Sequence, residues 1–168
     1  MSGEFWFAVG LGAQLEINRA AEWLADEVGR GLVEPVDWPH VTVHPGFDAD
    51  TGRAHAEVGR FGDALVGRRV SLGAPEWYPS ADEPGVAKLD ADAGLSDVRA
   101  SIASSPLLEA KAEPVPAHVT LVEPVGKGAG PGRRSPGTLE EACRSLTDAV
   151  EIPPETVVTS YRLVSRHP

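Results

Sequence analysis

Apolar positions along the chain alternate between two periods. Phe5-Trp6-Phe7-Ala8-Val9 is a short apolar run with the aromatic and β-branched content of a buried strand. Ile17, Ala20, Ala21, Leu24 and Val28 then recur at helical spacing, and Gly29 and Gly31 end that helix. A strand over Val41 to His44 follows, entered through Trp38-Pro39. Ala54, Val58, Phe61 and Leu65 again mark one helix face. Strands are expected at Arg69 to Leu72 and Val86 to Leu89. Pro75, Pro79 and Pro84 break the chain between them, so Trp77-Tyr78 reads as loop. A short helix fits Asp97 to Ser104, and a strand fits Val119 to Val122. Leu139, Cys143, Leu146 and Val150 line a helix opened by a capping box, Thr138-x-x-Glu141. Val157 to Val164 closes the chain as a strand. Strands and helices mix without strict βαβ alternation, which predicts an α+β fold with a mostly antiparallel sheet.

Composition narrows the function classes. A chain of 168 residues suits a single domain. Its 42% hydrophobic and 24% charged residues are those of a globular protein, not a disordered one. No apolar run is long enough for a membrane helix, and the start, Met1-Ser2-Gly3-Glu4, lacks signal-peptide character. A cytoplasmic location is the expectation. The lone Cys143 leaves no disulfide framework and no multi-cysteine metal site. The formal charge of −10, with only three lysines, argues against a surface that coats long nucleic acid. A phosphate-bearing partner should be a small molecule, met by a monomer.

The chemistry concentrates in a tripeptide that occurs twice, His40-Val41-Thr42 and His118-Val119-Thr120, 78 residues apart. On a strand, residues two apart share a face. Each motif therefore presents an imidazole beside a hydroxyl, while Val41 and Val43, or Val119 and Leu121, turn to the other side. Either tripeptide alone is unremarkable packing sequence. Two copies, both preceded by proline and both running into aliphatic strand, point to paired chemistry. Two imidazoles across a cleft suit phosphodiester cleavage: one removes a proton from water and the other protonates the departing alkoxide. A hydroxyl can donate to a phosphate oxygen. This scheme calls for no metal and no cofactor. The base role is given to His118 and the acid role to His40, with the reverse order left open.

Trp38-Pro39-His40-Val41-Thr42-Val43 and Pro116-Ala117-His118-Val119-Thr120-Leu121 resemble the paired motifs of the 2H phosphoesterase superfamily. That superfamily includes 2′,3′-cyclic nucleotide phosphodiesterases and the bacterial 2′-5′ RNA ligase-like proteins. The resemblance implies a bilobal fold, with two pseudo-symmetric lobes of mostly antiparallel sheet and outer helices around a central cleft. The lobes would fall near residues 1–75 and 76–168 of one domain. It also implies His40 and His118 as acid and base, with Thr42 and Thr120 holding the phosphate. The chain departs from the RNA ligase-like branch at Glu123, near where a basic residue often follows the second motif. The form of its motifs is closer to the small cyclic phosphodiesterases.

Secondary candidates surround this pair. His44, four residues beyond His40 on the same strand, is expected to share its face and to contact the substrate. Trp38, Trp77 and Tyr78 are candidates to stack on a base. Arg133 and Arg134 lie in a basic glycine-rich stretch after the second motif that could neutralise a phosphate. The expected reaction is hydrolysis of a small cyclic phosphodiester such as a nucleoside 2′,3′-cyclic phosphate. The alternatives are a hydrolase of a phosphorylated metabolite and a nucleotide-binding module without turnover.

Overall fold

The computed structural model describes residues 4–48, 52–79, 84–111, 113, 115–125 and 137–165. The apolar opening run becomes β1 (Glu4–Leu11), and the first helical pattern becomes α1 (Gln14–Val28). Gly29 stops α1 at φ +117°, a conformation that a residue with Cβ rarely adopts. There follow β2 (Val33–Pro35), β3 (Val41–Asp48), α2 (Gly52–Leu65), β4 (Arg69–Ser71), β5 (Pro75–Tyr78) and β6 (Val86–Asp90). The second half supplies α3 (Ser96–Ala103), β7 (His118–Pro124), α4 (Gly137–Ala149) and β8 (Glu155–Ser165). Helix α4 starts at Gly137, so Thr138 lies inside its first turn and not before it. The fold is α+β, as the mixed periodicity implies. Among the described residues, no helix is long and apolar enough to cross a membrane.

Among the described residues, eight strands form one open sheet in the order β4-β8-β1-β3-β7-β6-β5, with β2 on the side of β7. Every pairing is antiparallel. The two strands that carry His-Val-Thr are neighbours at its centre. Outward from them come β1 and then β8 on one side, and β6 and then β5 on the other. Strand β2 of the first half pairs with β7 of the second, while β8 at the end of the chain pairs with β1 and β4 of the first.

Alternation then divides the two faces. Phe7, Val9, Val41, Val43, Leu89, Val119 and Leu121 point to one side and are buried. They join Ile17, Leu24, Val58, Phe61, Ile102, Leu139 and Leu146 of α1 to α4 in a single apolar cluster. Burial of this area is the main stabilising term. The opposite side of the central strands carries the polar residues.

Two elements differ from the expectation. Trp77-Tyr78 is not loop: it belongs to β5, an edge strand paired with β6. Pro75 is tolerated because it opens an edge strand, where its missing N–H breaks few ladder bonds. Strand β3 also runs past Pro45-Gly46 to Asp48, because shifts in the β1–β3 register absorb the proline.

Candidate active site

The site is built on the pairing of Val41 with Val119. His40 and Thr42 flank Val41, and His118 and Thr120 flank Val119, so alternation turns all four away from the face of the two valines. The central pair thus brings the two motifs onto adjacent strands. All four residues are half-buried, whereas the two central valines are fully buried. The neighbouring strands extend the same rows. Ala8 of β1 is opposite Thr42, and Arg162 of β8 is opposite Ala8. Lys88 and Asp90 of β6 are opposite Thr120 and His118, and Glu76 of β5 is opposite Lys88.

Both catalytic candidates are held in the same way. His40 donates from Nδ1 to the Trp38 carbonyl at 2.7 Å, and His118 donates from Nδ1 to the Pro116 carbonyl at 2.9 Å. A carbonyl oxygen only accepts, so in the neutral ring the proton sits on Nδ1 and the Nε2 lone pair is left for chemistry. The His118 ring is held below the ordinary histidine value, chiefly by burial and then by the charges of Lys88, His40 and Arg99. These effects favour the neutral ring.

The first motif has an extra support. The Trp38 ring stacks on His40 at 4.9 Å and 18°, and the Arg162 guanidinium lies 3.2 Å from the Trp38 ring centre on β8. Gly10 makes room for this stack: a Cβ there would meet Ser160 Oγ at 2.6 Å and the Trp38 ring at 3.3 Å. Trp38 is therefore committed to its own histidine.

The second motif opens instead onto a cavity of about 560 Å³ beside His118, lined by Glu76, Tyr78, Lys88, Asp90, Val115 and Pro116 among others. The Lys88 ammonium sits 4.8 Å from the Tyr78 ring centre, and Tyr78 donates its hydroxyl proton to Glu76. Burial lowers the Lys88 pKa. Among the described residues, neither Lys88 nor Arg162 has an ion-pair partner, so one unpaired cation flanks each motif. Alternation alone could not say which way Lys88 points, and nothing local marks Arg162.

Other candidates lie elsewhere. Phe7 pairs with His44 while Ala8 pairs with Thr42, which makes Val43 an extra residue in β3. This bulge reverses the facing at His44, and a second irregularity between His44 and Phe47 shifts it again. His44 accordingly leaves the face of His40 and is 2% exposed, with its ring against Phe47 and its Nε2–H on the Leu108 carbonyl at 2.6 Å. Strand β7 has the matching irregularity: Lys88 pairs with Thr120 but Ala87 with Val122, so Leu121 is extra. Trp77 packs its ring on the core and donates Nε1–H to the Pro84 carbonyl, so of the β5 pair only Tyr78 reaches the cavity. Arg133 and Arg134 lie outside the described residues. Burial pushes the Cys143 thiol up to about 11, away from any nucleophilic role near neutral pH.

The buried position of His44 has a measurable consequence. Burial, with a smaller contribution from the Arg99 charge, holds its pKa below the ordinary histidine value. The unfolded chain then binds more protons than the folded one as the medium is acidified below about pH 6.5. Stability is complete above that pH and is expected to fall as pH drops toward the lowered value. Urea titrations at pH 7 and pH 5.5 should show a larger loss for the native chain than for His44→Gln. Equal losses would contradict this assignment.

No protein-family model matches the chain, and no curated protein matches it in sequence.

Proposed function

We propose that this protein is a phosphoesterase of the 2H type, with two pseudo-symmetric lobes facing one cleft, that hydrolyses a small cyclic phosphodiester such as a nucleoside 2′,3′-cyclic phosphate. The observation that carries this reading is the Val41–Val119 pair, which sets the two His-Val-Thr motifs side by side on adjacent strands. The reciprocal strand order and the matched bulges after Thr42 and Thr120 support the two-lobe description.

In the proposed reaction, the neutral Nε2 of His118 removes a proton from water as the water oxygen bonds to phosphorus. The bond from phosphorus to one ribose oxygen breaks. The leaving oxygen takes a proton from the His40 imidazolium, giving a phosphomonoester. His118 ends protonated and His40 neutral, and exchange with solvent restores both. Thr42 and Thr120 donate to the non-bridging oxygens, and Lys88 and Arg162 offset their charge. The lowered pKa of His118 supports its role as the base.

Incubation with 2′,3′-cyclic nucleotides and with sugar phosphates, followed by ³¹P NMR, tests this reading. The expected result is conversion of the cyclic diester to a monoester, undiminished in EDTA because both proton transfers belong to imidazoles. Loss of activity in EDTA, restored by zinc or manganese, would overturn the two-histidine route. Turnover of sugar phosphates alone would move the substrate to a phosphorylated metabolite. Tight nucleotide binding without hydrolysis over hours would leave a binding module.

A further inference from the structure

Arg99 lies on α3, away from both motifs in sequence, yet its side chain is only 15% exposed. Its guanidinium reaches three separate segments. Nη1 donates to Asp92 Oδ1 at 2.7 Å, Nη2 donates to the Val115 carbonyl, and Nε approaches the Val43 carbonyl at 3.4 Å. Val43 is the bulge residue of the first motif strand, so one side chain touches the backbone of β3 and the approach to β7. Asp92 Oδ1 also accepts the Ala117 N–H at 3.1 Å.

These bonds bracket Pro116. Val115 is gripped through its carbonyl by Arg99, and Ala117 through its N–H by Asp92. The Pro116 carbonyl between them is the acceptor that keeps the His118 proton on Nδ1. Few ladder bonds support this stretch; the Ala117 carbonyl accepts from Ala91 before β7 begins. Proline itself contributes no N–H. A planar fork that bonds in several fixed directions suits the task, and a lysine ammonium does not reproduce it.

We propose that Arg99 and Asp92 form a positioning pair that fixes the Pro116 carbonyl and, through it, the tautomer and orientation of His118. The pair touches no reacting atom in this scheme. It acts by holding the backbone that holds the ring, and its bond to Val43 ties that backbone to the first motif. The role of His118 as a proton-transfer group rests on the function proposed above; the control of its ring does not.

The charges of Lys88 on β6, His40 of the first motif and Arg99 of α3 act on His118, and Asp90 of β6 lies opposite it in the sheet. Removing the Arg99 charge should ease protonation of His118, while moving that charge without removing it should not. Two substitutions separate these effects. Arg99→Lys retains the charge and loses the fork. Arg99→Met loses both.

The test is ¹⁵N NMR of the histidine rings in the full chain, titrated with pH, alongside kcat and KM on a 2′,3′-cyclic nucleotide. In Arg99→Lys, the His118 pattern is expected to change from the Nδ1–H form to a mixture of tautomers. Turnover should fall about 10-fold, with KM within about 2-fold, as expected for a misplaced group. In Arg99→Met the same mixture is expected, with the His118 titration moved to higher pH. Asp92→Asn, which keeps side-chain size, should act in the direction of Arg99→Lys and serves if that variant does not fold. An unchanged His118 ring pattern in the folded variants would overturn the proposal. If the native chain hydrolyses no cyclic nucleotide but the ring patterns shift as described, the positioning pair stands and the phosphoesterase reading fails.

Discussion

Replacing His40 or His118 with alanine is expected to lower turnover of a nucleoside 2′,3′-cyclic phosphate by about 10²-fold or more, the usual contribution of a general acid or base. In the proposed reaction each ring supplies a different proton transfer in one displacement, and neither can substitute for the other. Both are fixed through Nδ1 to a carbonyl two residues upstream, so Nε2 is the working atom in each case. The double variant should lose much less than the product of the two single losses, because a route lacking one proton transfer gains little from the other. Both rings are half-buried, and neither fills the apolar cluster, so the variants should keep the far-UV circular dichroism of the native chain. Full turnover in either variant, measured with the same cyclic nucleotide, would remove that histidine from the reaction.

The two motifs were legible because a strand has the simplest periodicity in protein structure. His, Val and Thr in that order announce one polar and one apolar face, and the burial of Val41 and Val119 follows directly. The same rule misplaces His44. Alternation assumes one residue per step, and the bulge at Val43 adds a step that no local composition marks. The prolines around Trp77-Tyr78 misled in a different way. They signal a break in a helix or in an interior strand, whereas an edge strand tolerates them. Lys88 could be placed on a strand but not on a face, since its segment is short and the facing depends on register with β7. Arg162 and Arg99 are further from reach. Arg162 joins the site because β8 returns to pair with β1, and Arg99 because α3 packs beside β3; both are long-range consequences of topology. Even so, the helices came through accurately. Ile17, Leu24 and Val28, or Val58, Phe61 and Leu65, are the buried stripe of their helices, as spacing of this kind dictates.

The asymmetry of the two halves leads to the second large effect. Thr42→Val and Thr120→Val each remove a hydroxyl while nearly preserving shape. A hydrogen bond to a charged oxygen contributes about 1.5–3 kcal/mol, which corresponds to a loss of roughly 10- to 100-fold in kcat/KM. Thr→Ser at either position retains the donor and should recover most of that loss. The two threonines do not have the same neighbours, however. Thr120 is directly opposite Lys88, one strand away, whereas Thr42 is opposite Ala8, with the cation of Arg162 one strand further out. If Thr120 and Lys88 hold the same phosphate oxygen, removing both should cost less than the sum of the separate costs. Thr42 and Lys88 sit in different rows and should combine additively. Two double-mutant cycles, Lys88→Met with Thr120→Val and Lys88→Met with Thr42→Val, measured as kcat/KM, decide the matter. Coupling in the first cycle alone is the expected outcome. Coupling of equal size in both would mean that Lys88 acts on the phosphate as a diffuse charge, and no coupling in either would place it outside the phosphate site.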